Sequence, residues 1–166
     1  QVHFRLLTDR GAMGAFERFF NLDPDFLIQL AKEYLQHVNM TVHLTQCGLK
    51  ADTRKSAVGR GLEVLEHVSA RAPGLMEPHL LKARAQYACG NFKAAEALLE
   101  IALKCDNRCA TAHLLASQVA LAQGNFWRTK DALDQAISCD FHVRKAPAYA
   151  LVKANLALSS GDPAVA

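Results

Sequence analysis

The chain has 166 residues, of which 51% are apolar and 7% aromatic, and its formal net charge is +3. This composition excludes a disordered segment, a collagen and a small disulfide-stabilised scaffold. Each third of the chain carries one more basic than acidic residue, and this even spread argues against a nucleic-acid-binding face. Ala and Leu dominate while β-branched and aromatic residues are few, which predicts an all-α protein.

The N-terminal part of the chain predicts one short helix followed by two longer ones. The short helix is expected around residues 12–20. A second helix is predicted over 24–38, because Asp23 and Pro24 supply a cap and a first turn before apolar residues at helical spacing. A third helix is predicted over 55–71 and ends before Pro73 and Gly74. The two longer helices would form a divergent hairpin over 24–73 with a polar insertion over 39–54.

Residues 76–109 and 110–143 form an internal repeat. A shift of thirty-four residues makes eleven positions identical, which is the pattern of a repeat protein. In each unit a Gly-Asn pair, at 90–91 and 124–125, is expected to end one helix and cap the next. Gly tolerates the left-handed conformation at a helix end, and the Asn side chain can accept a hydrogen bond from a free backbone N–H of the next helix. Each unit is therefore a hairpin of antiparallel helices. Residues 147–166 predict an incomplete third repeat, reached through a longer linker.

The sequence contains no motif that indicates catalysis. The segment with glycines at 59 and 61 is not a dinucleotide-binding loop, because that loop requires a third glycine and a preceding strand, and this segment has neither. Signatures of nucleotide-binding loops, serine hydrolases and zinc proteases are absent from the sequence. His79 and His113 occupy equivalent positions in the repeat, and we interpret them as residues packed between hairpins at the edge of the core. The chain is therefore predicted not to be an enzyme and to use no cofactor.

The cysteines indicate a reducing environment. They are odd in number and lack CxxC spacing, which predicts reduced thiols in a cytosolic compartment and no metal site. They are Cys47, Cys89, Cys105, Cys109 and Cys139. The longest uncharged stretch, nineteen residues between Arg108 and Arg128, is too polar for a membrane span. The chain begins without Met and stops after a turn signal, so we expect it to be an internal part of a longer protein.

The predicted solenoid offers a surface to protein partners. Stacked hairpins form a superhelix whose inner wall is built from the first helix of each hairpin. The candidate residues on this wall are Leu80, Leu114 and Leu151, then Arg84, Gln118 and Asn155, and finally Tyr87, Leu121 and Leu158. Such a wall suits an amphipathic helix or an extended segment of a partner, although the alternative that some of the leucines belong to the core stays open. Trp127, predicted to point outward from a second helix, is the candidate on the convex side.

The repeated unit resembles the tetratricopeptide repeat. The resemblance rests on a small residue in the first helix, a glycine at the turn, two alanines in the second helix and an acidic residue at its exit. In the first unit these are Ala83, Gly90, Ala95, Ala102 and Asp106. The resemblance implies a tetratricopeptide-type α-α superhelix, a solenoid of antiparallel helix hairpins. The sequence departs from the usual residues of that repeat at His79, His113, Lys82 and Thr129.

Nearly the whole chain, from about residue 16 to residue 162, also resembles the tetratricopeptide repeat protein 21 family. The most specific part is the stretch CDFHVR over 139–144 with the following Pro147 and Tyr149. The longer linker at this point departs from a standard repeat in the same way as in that family. The family supplies the large repeat subunit of intraflagellar transport complex A.

The family resemblance implies a non-enzymatic scaffold subunit of that particle, which mediates protein-protein assembly for retrograde ciliary transport and ciliary cargo import. The implied partners are the other complex A subunits, which are propeller-and-solenoid proteins, in a hetero-oligomer without nucleic acid or direct membrane insertion. The implied location is the cytoplasm and the cilium or flagellum with its base. The residues alone leave an alternative, a stand-alone peptide-binding adaptor such as a co-chaperone. An enzyme regulated by a repeat domain would need catalytic residues outside this chain.

Overall fold

The computed structural model describes residues 23–36 and 57–160, and these residues form seven α-helices, one short 3₁₀ helix and no strand. The α-helices are α1 (Pro24–Gln36), α2 (Ala57–Arg71), α3 (Met76–Ala88), α4 (Phe92–Cys105), α5 (Ala110–Ala122), α6 (Phe126–Cys139) and α7 (Pro147–Ser160). The 3₁₀ helix covers Phe141–Lys145. The prediction of an all-α fold from composition and repeat pattern is confirmed.

Helix α1 begins at the predicted cap. The backbone N–H groups of Asp25 and Phe26 donate to Asp23 Oδ1 at 3.0 and 3.2 Å. Pro24 lies in the first turn, where a backbone N–H has no acceptor within the helix, so the missing N–H of proline does not remove a hydrogen bond. Several predictions fall outside the described residues: the short helix around 12–20, the insertion over 39–54, residues 37–38 and 55–56 of the two longer helices, and residues 161–166 of the incomplete third repeat.

The two Gly-Asn pairs end α3 and α5 as expected. Gly90 and Gly124 have φ values of 76° and 75°, a region that favours glycine. At the first turn the Gly90 N–H donates to the Tyr87 carbonyl at 3.0 Å and the Asn91 N–H donates to the Gln86 carbonyl at 2.9 Å. This pair of bonds satisfies carbonyls at the end of α3 that would otherwise lack a donor.

The capping role predicted for the two asparagines holds for one of them. Asn125 Oδ1 accepts from the Arg128 N–H at 3.2 Å, as predicted. Asn91 makes no side-chain cap, and that prediction is wrong. The Asn91 side chain instead donates to Gln86 Oε1 at 2.9 Å. The repeat equivalent of Gln86 is Ala120, which offers no competing acceptor, so Asn125 remains available to cap α6.

Each hairpin packs its apolar face against the first helix of the next. The first core cluster joins α1 and α2 to Leu81 and Ala85 of α3. The second joins α3 and α4 to Leu115 and Val119 of α5, and the third joins α5 and α6 to residues of the 3₁₀ helix and α7. The same arrangement therefore recurs three times, which is the architecture of a helical-repeat solenoid.

The first helices of successive hairpins contact one another along the stack. Contacts link α1 to α3, α3 to α5 and α5 to α7, and Lys32 on α1 pairs with Glu77 on α3 at 2.6 Å. An exposed ion pair of this kind adds little stability, so the apolar clusters hold the stack together. None of the described helices is long and apolar enough to span a bilayer.

The longer linker before α7 is folded. The Asp140 carboxylate accepts from the His142 N–H at 2.8 Å and caps the 3₁₀ helix. This backbone hydrogen bond, followed by one from the His142 ring, holds the Asp140 pKa below its usual value. Val143 is buried in the third core cluster, while the basic residues around it are exposed. The sequence predicts only that this linker is longer than a standard one, and the buried valine explains why it is folded.

The two repeated histidines are both buried, as predicted, but their hydrogen bonding differs. His113 Nε2 donates to the Asn107 carbonyl at 2.9 Å. The equivalent carbonyl in the preceding repeat belongs to Pro73. A cysteine contacts each of the two carbonyls, Cys105 Sγ at 3.7 Å from the Pro73 oxygen and Cys139 Sγ at 3.9 Å from the Asn107 oxygen, so the cysteine contact does not distinguish the two repeats. Among the described residues, neither ring nitrogen of the buried His79 has a hydrogen-bond partner. A buried polar group without a partner lowers stability.

We expect His79→Leu and His113→Leu to change stability in opposite directions. His79→Leu removes a buried group that has no partner, so its free energy of unfolding should rise by about 1 kcal/mol. His113→Leu removes a donor to a partly buried carbonyl and should lower the free energy of unfolding by about 1–2 kcal/mol. Urea denaturation of the two variants and the parent chain would measure both effects. A similar loss in both variants would contradict the assigned difference.

Candidate functional site

Two of the predicted wall leucines belong to the core. Leu80 and Leu114 are each only 8% exposed. Leu80 packs with Ala95 and Leu99 of the second helix of its hairpin, and Leu114 packs with Leu133 in the same way. A partner cannot reach them without opening the hairpins. The structure therefore supports the alternative in which these leucines stabilise the stack.

The remaining wall candidates on α3 and α5 are half-buried. They are Arg84, Tyr87, Gln118 and Leu121. Burial raises the pKa of the Tyr87 hydroxyl, and the Tyr87 ring packs against Phe92 at a centroid distance of 5.9 Å. These side chains form a mixed polar and apolar surface along the first helices, and a binding role for them stays a prediction.

Helix α7 presents the third set of wall candidates to solvent. Leu151 is 61% exposed, Leu158 is 81% exposed, and Asn155 between them is also exposed. Leu151 occupies the same repeat position as Leu80 and Leu114, so burial differs strongly at equivalent positions. In α3 and α5 the second helix of the hairpin covers this position, whereas no described helix follows α7.

Trp127 projects from the first turn of α6 and is 82% exposed, which confirms its predicted outward orientation. Phe126 beside it and Phe141 in the 3₁₀ helix are exposed as well. The Arg144 guanidinium lies 4.8 Å from the centre of the Phe141 ring, a cation-π contact. Large exposed aromatic side chains are characteristic of protein interfaces, so these residues are candidate contacts on the convex side.

A groove that the sequence did not predict runs between α4 and α6. Its volume is about 390 Å³. Glu100 and Leu103 line the α4 wall and Asp131 and Gln135 line the α6 wall, and the floor is formed by Ala116 and Val119 of α5. We call it the α4–α6 groove. The signal for it in the sequence is Ala116, which stands where the preceding repeat carries Lys82.

A polar network lies at one end of the α4–α6 groove. Glu96 on α4 accepts from Gln123 Nε2 at 3.0 Å and from the guanidinium of Arg128, so it links the ends of three helices. The hydrogen bond from Gln123, and then the hydrogen bond and charge of Arg128, lower the pKa of Glu96 from its usual value near 4.5. Among the described residues, no three His, Cys, Asp or Glu side chains converge as metal ligands.

We expect the Glu96 network to make stability fall at low pH. Because the folded-state pKa of Glu96 is lowered, its contribution is complete above the unfolded-state pKa and is lost as pH falls below about 4.5. Urea midpoints of the parent chain and Glu96→Gln should therefore differ at about pH 7 and converge as the pH falls through the lowered folded-state pKa of Glu96. A difference that stays constant over this range would contradict the role of the ionised carboxylate.

Two comparisons with known proteins agree with each other. Residues 2–124 match the family model described as the second ARM domain of tetratricopeptide repeat protein 21. The chain is also 31% identical over 162 residues to tetratricopeptide repeat protein 21B of Xenopus laevis. That alignment covers 98% of this chain and 12% of the relative, so the chain spans about one eighth of the length of the protein it matches.

Proposed function

Because the chain belongs to the tetratricopeptide repeat protein 21 family, we propose that it is part of a non-enzymatic scaffold subunit of intraflagellar transport complex A. In this proposal it assembles with the other complex A subunits, which are propeller-and-solenoid proteins, for retrograde ciliary transport and ciliary cargo import. The proposed location is the cytoplasm and the cilium or flagellum with its base. The subunit acts by holding partners in position, not by turnover of a substrate.

The observation that carries the proposal is the family model matched by residues 2–124, together with the stack of helix hairpins that the described residues form. Helical-repeat solenoids present long surfaces to protein partners. The family and the fold therefore both support a scaffold role.

The exposed aromatic side chains supply candidate contacts for partners. Trp127 and Phe141 lie at opposite ends of α6, and both are exposed. Binding spread over several hairpins is typical of helical-repeat scaffolds. An adaptor that captures a short peptide would instead concentrate its contacts in one concave site.

The test is reconstitution of complex A with the full-length subunit that contains this chain. The proposal expects stable co-elution with other complex A subunits and no binding of a short C-terminal chaperone peptide. Trp127→Ser should weaken assembly while leaving the helical circular dichroism spectrum unchanged, because its side chain is already in solvent. Lys130→Ser, an exposed change on the same helix, is the control. Failure of the parent subunit to assemble, together with tight binding of the chaperone peptide, would favour the adaptor alternative.

A further inference from the structure

In the preceding repeat, the position equivalent to Ala116 of the α4–α6 groove is occupied by Lys82, which pairs with a carboxylate of the neighbouring hairpin. Lys82 on α3 reaches α2, where its Nζ lies 2.5 Å from Glu66 Oε2 and 3.3 Å from Ser69 Oγ. The Lys82 side chain is only 12% exposed, so its methylene stem is covered. The first repeat thus contains a cation-binding arrangement with its cation in place.

The equivalent positions in the next repeat line the α4–α6 groove. Moving thirty-four residues along the sequence takes Glu66 to Glu100 and Lys82 to Ala116. Glu100 and Ala116 both line the groove. The carboxylate is therefore retained in the second repeat, while the lysine that would pair with it is replaced by a methyl group. The volume of about 390 Å³ lies where a long side chain would otherwise sit.

The groove also gains negative charge on its opposite wall. Asp131 on α6 stands where the preceding repeat has Ala97, so two carboxylates, Glu100 and Asp131, line the groove. Neither forms an ion pair within residues 23–36 and 57–160. Arg128 is the cation at the groove, and it is held by Glu96. The groove therefore presents two carboxylates to an incoming positive charge.

The apolar floor of the α4–α6 groove is complementary to the methylene groups of a lysine or arginine side chain. Ala116 and Val119 of α5, with Leu99 of α4, line the bottom of the groove. Lysine and arginine bury their methylene groups on apolar surface and keep the charged head at a polar edge. An apolar floor below a rim of carboxylates is complementary to that chemistry.

We propose that the α4–α6 groove binds a lysine or arginine side chain presented by a partner protein, in the place that Lys82 occupies in the preceding repeat. The stem lies over Ala116 and Val119, and the charged head lies between Glu100 and Asp131. The cation site follows from the repeat comparison alone. The identification of the partner as a complex A subunit rests on the proposed function.

The site is tested by titrating the ¹⁵N-labelled chain with N-acetyl-arginine amide and N-acetyl-lysine amide. The amide resonances near Glu100, Ala116 and Asp131 should shift with a dissociation constant in the millimolar range, as suits a single side chain. N-acetyl-norleucine amide, which has the stem without the charge, is the control ligand. Equal shifts with norleucine amide, or no shift with either cationic amide, would overturn the proposal.

The repeat supplies matched variants. Ala116→Lys places an ammonium group in the groove from inside and should abolish the shifts, and Glu100→Gln should weaken binding by about tenfold. Lys82→Ala should leave binding at the α4–α6 groove unchanged and create a second site near Glu66 for the same amides. Circular dichroism would establish that each variant folds. Retention of full binding in a folded Ala116→Lys variant would place the ligand elsewhere and overturn the proposal.

Reconstitution separates this inference from the proposed function. If the parent subunit assembles, the full-length Ala116→Lys variant should assemble about tenfold more weakly, whereas Lys82→Ala should assemble normally. Unchanged assembly of Ala116→Lys would contradict a partner cation in this groove. If the parent subunit fails to assemble with complex A, the proposed function fails while the amide titration still decides the cation site.

Discussion

Leu114→Asp is expected to unfold most of this chain, and Leu151→Asp is expected to leave its stability unchanged, although both leucines hold the same repeat position. Leu114 is 8% exposed in a cluster with Leu133, Ala136 and Val152. Replacing it with a carboxylate removes apolar contacts and buries a charge without a partner. The loss should be at least about 3–5 kcal/mol, which is a large share of the stability of a single domain.

Leu151 is the matched control within the same chain. It is 61% exposed on α7, so an aspartate there remains hydrated and should change the free energy of unfolding by no more than about 0.5 kcal/mol. Urea denaturation, monitored by circular dichroism, measures the free energy of unfolding. The molar mass in solution measures self-association. Leu151→Asp should also reduce self-association of the isolated chain, because exposed apolar stripes promote association.

The outcome decides what the first helices of the hairpins do. Equal stability of Leu114→Asp and the parent chain would mean that α5 is rotated and that Leu114 faces a partner, as one reading of the sequence allowed. A large loss in Leu151→Asp would mean that further residues of this chain cover α7.

Positions fixed by the backbone were predictable because their residue types are strongly restricted. Gly90 and Gly124 have positive φ, and a glycine recurring at this spacing marks the end of a helix whatever surrounds it. Ala95, Ala102 and Ala136 are fully buried because second helices approach their neighbours closely at those points. These residues gave the hairpin boundaries and the fold class without knowledge of any side-chain contact.

Positions set by side-chain contacts between elements were not predictable in the same way. The sequence placed Leu80 and Leu114 either on the wall or in the core, since a helix rotated by a fraction of a turn satisfies the same spacing. The difference between Asn91 and Asn125 depends on whether residue 86 or 120 offers an acceptor, which only the folded turn reveals.

The α4–α6 groove shows the same limit for the candidate site. Lys82 was recognised as a departure from the usual repeat, but its meaning lies in Glu66, a residue on another helix. The pair could be recognised only once α2 and α3 were placed in contact at 2.5 Å between Lys82 Nζ and Glu66 Oε2. Because that lysine is absent from the second repeat, Glu100 has no ion-pair partner among the described residues and lies beside an open volume.

Ala102→Trp and Ala136→Trp are expected to lower the free energy of unfolding by about 1–3 kcal/mol each, because an indole cannot fit where the second helix lies against its neighbours. Both alanines are 0% exposed, and Ala136 lies in the cluster that joins α5, α6 and α7. The melting temperature followed by circular dichroism measures the effect. Both variants should retain helical structure while melting at lower temperature.

Ala97→Trp separates packing from the intrinsic cost of placing tryptophan in a helix. Ala97 lies on α4 with Ala102 but is exposed, so its substitution carries the lower helix propensity of Trp, about 0.5 kcal/mol, without overpacking. The difference between Ala97→Trp and Ala102→Trp therefore reports the inter-helix contact alone. If the two variants had the same melting temperature, the buried face of α4 would not be the one formed by Ala95, Leu99 and Ala102. The repeat register on which the α4–α6 groove depends would then have to be shifted.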